Sequence, residues 1–124
     1  MKLNQVTLPA HDLGRCITFY ETLGFVLIVR DDHYARFELP PDHATLSLEL
    51  TREAVGHGPH VYFECDDLDA RVTALKAKGI VFDGDPQDKG WLWREAWLSD
   101  PAGNRLCFYY AGENRRFPPW RIAP

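Results

Sequence analysis

The sequence predicts an α+β fold made of two βαβββ units, and three observations carry that prediction. Short runs alternate apolar and polar residues, as half-buried strands do; two stretches carry helix caps and an apolar stripe; and the whole pattern occurs twice. The chain has 124 residues, 45% of them hydrophobic, and a net charge of −4. That is one domain's worth of ordinary globular composition. No basic stripe with interleaved aromatics is present, which argues against nucleic acid as a partner. The three cysteines, Cys16, Cys65 and Cys107, lie far apart with no Cys-x-x-Cys pair, a usage that fits reduced thiols in a cytoplasmic protein. No apolar run reaches signal or membrane-span length.

The first unit begins with a strand from Leu3 to Pro9. Asp12 is a good N-cap for a helix whose stripe is Leu13, Cys16, Ile17 and Tyr20, and Gly24 stands where a C′ glycine belongs. Strands follow at Phe25 to Arg30, Tyr34 to Leu39 and Thr45 to Thr51. Gly56, Gly58 and Pro59 mark a linker. The second unit has a strand from His60 to Cys65, a helix capped by Asp66 or Asp67 with Leu68, Val72 and Leu75 on one face, and a terminating Gly79. Ile80 to Phe82, Trp91 to Leu98 and Arg105 to Tyr110 read as its remaining strands, and the Asp83 to Lys89 loop as a flap. The turn Asp100-Pro-Ala-Gly-Asn104 joins the last two strands. The expected organisation is one domain over residues 1–112, with repeat units of about 2–54 and 57–112 and a tail at 113–124 rich in Arg, Pro and aromatics.

A constant shift of 55 lays one unit on the other: Val6 on Val61, Asp12-Leu13 on Asp67-Leu68, Ile17 on Val72, Gly24 on Gly79 and Gln5 on His60. In the last strands Ser47-Leu48-Glu49 is matched to Arg105-Leu106-Cys107. Gln5, Glu49, His60 and Cys107 then form two symmetry-related pairs, able to converge if the units pack about a pseudo-twofold axis. Singly, each has an ordinary explanation: Glu49 as a solvated carboxylate, His60 as a donor to a backbone carbonyl, Cys107 as a small buried hydrophobe. Alternation places Arg105, Cys107 and Tyr109 on one face of their strand, and Trp91, Trp93, Glu95 and Trp97 on one face of theirs. If Arg105, Cys107 and Tyr109 face a groove, the three indoles and Tyr62 face it too, and the indoles make a flat apolar wall suited to an aromatic ligand, or alternatively a dimer interface or plain sheet packing.

The segments "HDLGRCITFYETLGF", "HVYFECDDLDARVTALKAKGI" and "LSDPAGNRLCFYY" resemble the vicinal oxygen chelate superfamily, which holds glyoxalases, extradiol dioxygenases, fosfomycin-resistance and bleomycin-resistance proteins. The resemblance spans Lys2 to Gly112. It implies that the two βαβββ units form a curled mixed sheet around a concave groove, helices outside, and that the groove holds a divalent metal or a bound drug. By position the metal ligands fall on Gln5, Glu49, His60 and Cys107, with Glu49 and Cys107 as candidate catalytic groups. Tyr62, Trp91, Trp93, Trp97, Arg105 and Tyr109 are candidate substrate contacts. Cys107 stands where such enzymes usually carry glutamate, which counts against lactoylglutathione lyase activity.

Two functions follow from the resemblance. One is a metal-dependent lyase, isomerase or oxygenase, in which Zn, Ni, Mn or Fe chelates vicinal oxygens of a small substrate. The other is a metal-free protein of the bleomycin-resistance type that sequesters a small molecule. The family's habit of covering open sheet edges by pairing chains implies a homodimer.

Overall fold

The computed structural model describes residues 1–123. Its elements in chain order are β1 (Gln5–Ala10), α1 (Leu13–Thr22), β2 (Val26–Arg30), β3 (Tyr34–Glu38), β4 (Thr45–Leu50), β5 (Val61–Glu64), α2 (Leu68–Ala77), β6 (Gln87–Asp88), β7 (Arg94–Ser99) and β8 (Arg105–Tyr110), followed by a 3-10 turn at Gly112–Arg115. None of the helices among the described residues is long and apolar enough to cross a membrane.

The strands form two sheets, not one. Their orders are β1-β4-β3-β2 and β5-β8-β7-β6, the same permutation in each unit. β1 runs parallel to β4 and β5 parallel to β8, while β3 is antiparallel to both of its neighbours, β2 and β4. The curled sheet about a groove, expected above, is corrected by this arrangement: both sheets are mixed and open, and neither is closed or strongly curled. Four strands are too few to close on themselves. The register shift between Leu27 and Val29 bends only an edge strand, and β6 has two residues.

Contacts divide the chain into two units. The first is Met1–Pro59 with Ser99–Asn104; the second is His60–Leu98 with the chain from Arg105 onward. In the first, Asp12 caps α1 by accepting from the Arg15 amide at 3.0 Å. Gly24 ends the segment at φ +100°, and Gly79 does the same after α2 at φ +92°; a side chain there would be strained. The core of this unit sets Ile17 and Tyr20 of α1 against Leu8, Phe37, Leu46 and Leu48 of the sheet, all essentially without exposure.

One buried carboxylate completes that core. Asp100 accepts from Tyr20 Oη at 2.7 Å, from the Ala102 and Asn104 amides at 2.9 Å each, and from Asn104 Nδ2 at 2.7 Å. Asn104 Nδ2 also reaches the Pro9 carbonyl at 2.9 Å. Burial, and next the charge of Asp100, push the Tyr20 phenol far above its usual range, so it remains a neutral donor. The same two causes push the Cys16 thiol up to about 11.

The second unit departs from the sequence reading at three places. Ile80 to Phe82 contributes one bridge, Phe82 to Leu98, rather than a strand. A two-residue strand, β6, arises inside the loop read as a flap and pairs Gln87 with Glu95 and Asp88 with Arg94. β7 starts at Arg94, not Trp91, because Leu92 takes φ +67° in a turn closed by its amide on the Lys89 carbonyl at 3.0 Å. Asp67 does stand at the N-cap of α2, but its carboxylate accepts from Arg71 Nε at 3.3 Å instead of from a helix amide.

Replacing Asp100 by alanine strands the Tyr20 hydroxyl and two backbone amides in the core. We expect a loss of about 3 kcal/mol or more in urea unfolding for Asp100→Ala, and about 1–2 kcal/mol for Tyr20→Phe, which keeps the other three donors in place.

Candidate functional site

β8 alternates as its sequence requires. Cys107 and Tyr109 face an aromatic layer, and with Ala111 they form a buried cluster against which Trp93 and Trp97 pack. Trp93 stacks on Tyr109 with ring centres 4.7 Å apart, and Tyr62 meets Trp97 and Tyr109 edge-on at 5.5 and 5.6 Å. These distances are those of favourable aromatic pairs. The second unit therefore brings together Tyr62, Trp93, Trp97, Cys107 and Tyr109 from the candidate residues.

Glu95 sits beneath this layer at 5% exposure. Its Oε2 accepts from Trp91 Nε1 at 2.7 Å and its Oε1 from Trp97 Nε1 at 2.9 Å. Two indole donors thus satisfy a buried carboxylate, and in return the carboxylate fixes both ring planes. Alternation along β7 puts Glu95 and Trp97 on one face, whereas Trp91 reaches Glu95 from the turn that precedes the strand. Neither the turn at Leu92 that delivers Trp91 nor the role of Glu95 as the shared acceptor is readable from the pattern.

Beside Trp97 lies a cavity of about 370 Å³ bounded by His60, Asp83, Lys89, Glu95, Trp97 and Arg105, among others. His60 is exposed and meets Trp97 edge-on at 5.2 Å. Arg105 lies over the Trp97 ring at 5.3 Å and donates to Asp83 at 2.6 Å. That ion pair is partly solvated and contributes little stability, but it holds the guanidinium on the indole face. Trp91, half exposed, contributes through its bond to Glu95 and is not among the residues bounding the cavity.

Cys107 has no exposure. Burial, and next the nearby charge of Glu95, push its thiol up to about 12, against smaller opposing effects from the Ala96 backbone, Arg105 and Lys89. Burial likewise raises Tyr62 and Tyr109 above the usual phenol range.

The pairing registers change which residues are symmetry mates. Val6 pairs with Leu46 and Val61 with Leu106, so β1 and β5 are offset by 61 − 6 = 55 but β4 and β8 by 106 − 46 = 60. The mate of Cys107 is therefore Ser47, and Glu49 corresponds to Tyr109. In the first unit Gln5 pairs with Thr45 while Glu49 pairs with Pro9. Four residues of strand, roughly 13 Å, separate Gln5 from Glu49. Gln5 instead donates to Ser47 Oγ at 2.6 Å and accepts from the Thr45 hydroxyl.

These donors do not fit a divalent metal. Glu49 is out of step with Gln5, Ser47 is a weak neutral ligand already bonded to the Gln5 amide, and Cys107 is a buried thiol held protonated. Beside His60 stands the cation Arg105. Among the described residues, no group of three or more His, Cys, Asp or Glu side chains is set to hold a metal ion.

Comparison with known proteins agrees with the architecture. The family model described as Glyoxalase/Bleomycin resistance protein/Dioxygenase superfamily matches residues 2–108. An uncharacterized protein of Mycolicibacterium smegmatis is 34% identical over 110 residues, covering 87% of this chain and 92% of its own length. Among solved structures, a glyoxalase/bleomycin resistance protein/dioxygenase from Nocardioides superposes with a TM-score of 0.81 at 24% identity, covering 99% of this chain and 90% of that one. A bleomycin resistance determinant encoded on the transposon Tn5 gives 0.75 at 23%, covering 89% and 98%. A lactoylglutathione lyase from Agrobacterium tumefaciens gives 0.76 at 20%, covering 98% and 97%. At such identities the structural likeness speaks for the fold.

The buried state of Cys107 has a direct consequence. In native protein at pH 8 all three thiols, each buried and free, should resist an aromatic disulfide reagent, and all three should react in urea. Cys107→Glu should lower stability by roughly 2–4 kcal/mol in denaturant unfolding, since the new carboxylate would sit beside Glu95 with no partner.

Proposed function

Because the chain belongs to the glyoxalase/bleomycin resistance protein/dioxygenase superfamily, we propose that it binds a flat, aromatic small molecule without a metal, in the manner of a sequestering protein. The observation that carries this reading is the fixed Trp97 wall beside the cavity. Its indole is locked at one edge by Glu95, met edge-on by His60 and covered by Arg105. A cavity of about 370 Å³ is of the size that takes small organic ligands, and one aromatic wall with a few polar groups is the usual construction of such sites.

A planar ligand would lie against Trp97, displacing or sandwiching under the Arg105 guanidinium. His60 and Lys89 would supply hydrogen bonds to its polar edge. Trp97 needs no reordering on binding, so little affinity is lost to fixing it. The alternative, a metal-dependent lyase, isomerase or oxygenase acting on vicinal oxygens, requires ligands that Ser47 and Cys107 do not supply.

Bleomycin is a suitable first probe, since a protein of this fold is a bleomycin resistance determinant. With a chelator present, titration should quench tryptophan fluorescence saturably with one site per chain. Trp97→Leu should weaken binding at least tenfold, while Phe117→Leu in the tail should leave it unchanged. Saturable binding of bleomycin only after zinc or manganese is added would favour the enzyme instead. Absence of binding in both conditions would overturn the proposal.

A further inference from the structure

The chain between Phe82 and Trp91 lies along the cavity without entering the core. Phe82 is buried, but none of the residues from Asp83 to Gly90 is; Pro86 and Lys89 are half-buried and the rest exposed. Asp83, Gly84, Asp85, Gln87 and Lys89 all bound the cavity. Apolar burial therefore does not hold this rim in place. Its backbone is tied by the Asp83 amide to the Trp97 carbonyl and by the Lys89 amide to the Trp93 carbonyl, each at 2.8 Å, and by the two-residue pairing of β6 with β7. So few bonds, all near the surface, mark a segment that opens locally.

Three aspartates supply the remaining attachments, and each goes to a cation on a different element. Asp83 accepts from Arg105 Nη2 of β8 at 2.6 Å, Asp85 from Lys76 Nζ of α2, and Asp88 from Arg94 Nη1 of β7 at 3.1 Å. Arg94 is itself aimed by Asp69 of α2, which accepts from its Nε at 2.9 Å and its Nη2 at 3.0 Å and leaves Nη1 for Asp88. The three rim carboxylates are 55%, 87% and 83% exposed. Ion pairs so exposed are individually weak and are screened by salt. On a segment anchored in the core they would count for little. On this one they carry a large share of the attachment, and without their cations three like charges would crowd one short stretch of chain.

We propose that the Asp83–Lys89 segment is an electrostatic latch on the cavity, held down by the Asp83–Arg105, Asp85–Lys76 and Asp88–Arg94 pairs and released when those pairs are screened. The device belongs to the rim itself and does not rest on what the cavity binds. Its opening leaves the sheet intact, because β5, β8 and the longer part of β7 take no support from the rim side chains.

Amide hydrogen exchange tests the latch without any ligand. The Asp83 and Lys89 amides report on the rim; the Cys65 amide, bonded to the Tyr109 carbonyl at 2.8 Å, reports on the sheet of the same unit. Raising ionic strength from about 0.01 to 1 M shortens the screening length from about 30 to 3 Å. That change should speed exchange at Asp83 and Lys89 at least fivefold relative to Cys65. At low salt, Lys76→Glu should speed rim exchange in the same way, since it turns an attraction into a repulsion. Adding Asp85→Lys to Lys76→Glu reverses the pair and should restore protection. Lys76 and Asp85 are both exposed, so neither change disturbs the core. Rim exchange that is indifferent to salt, or that rises only in step with Cys65, would overturn the proposal. So would acceleration by salt with no response to Lys76→Glu and no recovery in the reversed pair.

Discussion

The first unit depends on one buried charge. Four hydrogens converge on Asp100, two from backbone amides of its own turn and two from side chains. A carboxylate is costly to bury, and only a full complement of donors makes it stable. That requirement fixes several things together. The turn must be tight enough to aim the Ala102 and Asn104 amides inward. α1 must present Tyr20 with its hydroxyl toward the turn, and Asn104 must hold β1 through the Pro9 carbonyl. The aromatic packing of Tyr20 on Phe25 and Phe37, at 5.5 and 5.7 Å, follows from where that hydroxyl is pinned.

The second unit uses a carboxylate differently. Glu95 is satisfied by two indole nitrogens and so organises aromatic rings rather than backbone. Its charge also acts on its neighbours: it disfavours ionisation of Tyr62 and of Cys107. A site so arranged keeps its thiol and phenols neutral and presents their carbon surfaces. That is the electrostatics of an apolar binding wall, and it opposes the gathering of anionic ligands that a divalent cation needs.

Much of this was legible in the sequence wherever the signal is local. Asp12, Gly24 and Gly79 mark helix ends because their chemistry is decided within a few residues, and the alternation of β8 shows which side chains face the aromatic layer. The family resemblance, carried by the caps and the Asp-Pro-Ala-Gly-Asn turn, holds for residues 2–108. What escaped reading depends on pairing between distant strands. Aligning Glu49 with Cys107 assumed a loop-length correction two residues short, and only the hydrogen-bond register gives the offset of 60. The start of β7 was hidden because Leu92, a residue with no preference for positive φ, takes that conformation in a turn. The curled sheet was an inheritance from the resemblance; nothing in the strand pattern itself required it.

The smallest strand has a consequence for how the cavity exchanges its contents. β6 pairs two residues of the Asp83–Lys89 segment with Glu95 and Arg94, and backbone bonds from Asp83 to Trp97 and from Lys89 to Trp93 pin that segment at its ends. Opening β6 releases the backbone of Glu95 but leaves its side chain tied to Trp91 and Trp97. Parting a two-residue strand costs less free energy than melting a sheet, so under the proposed reading the rim would govern how fast a ligand exchanges and the indole wall how tightly it is held.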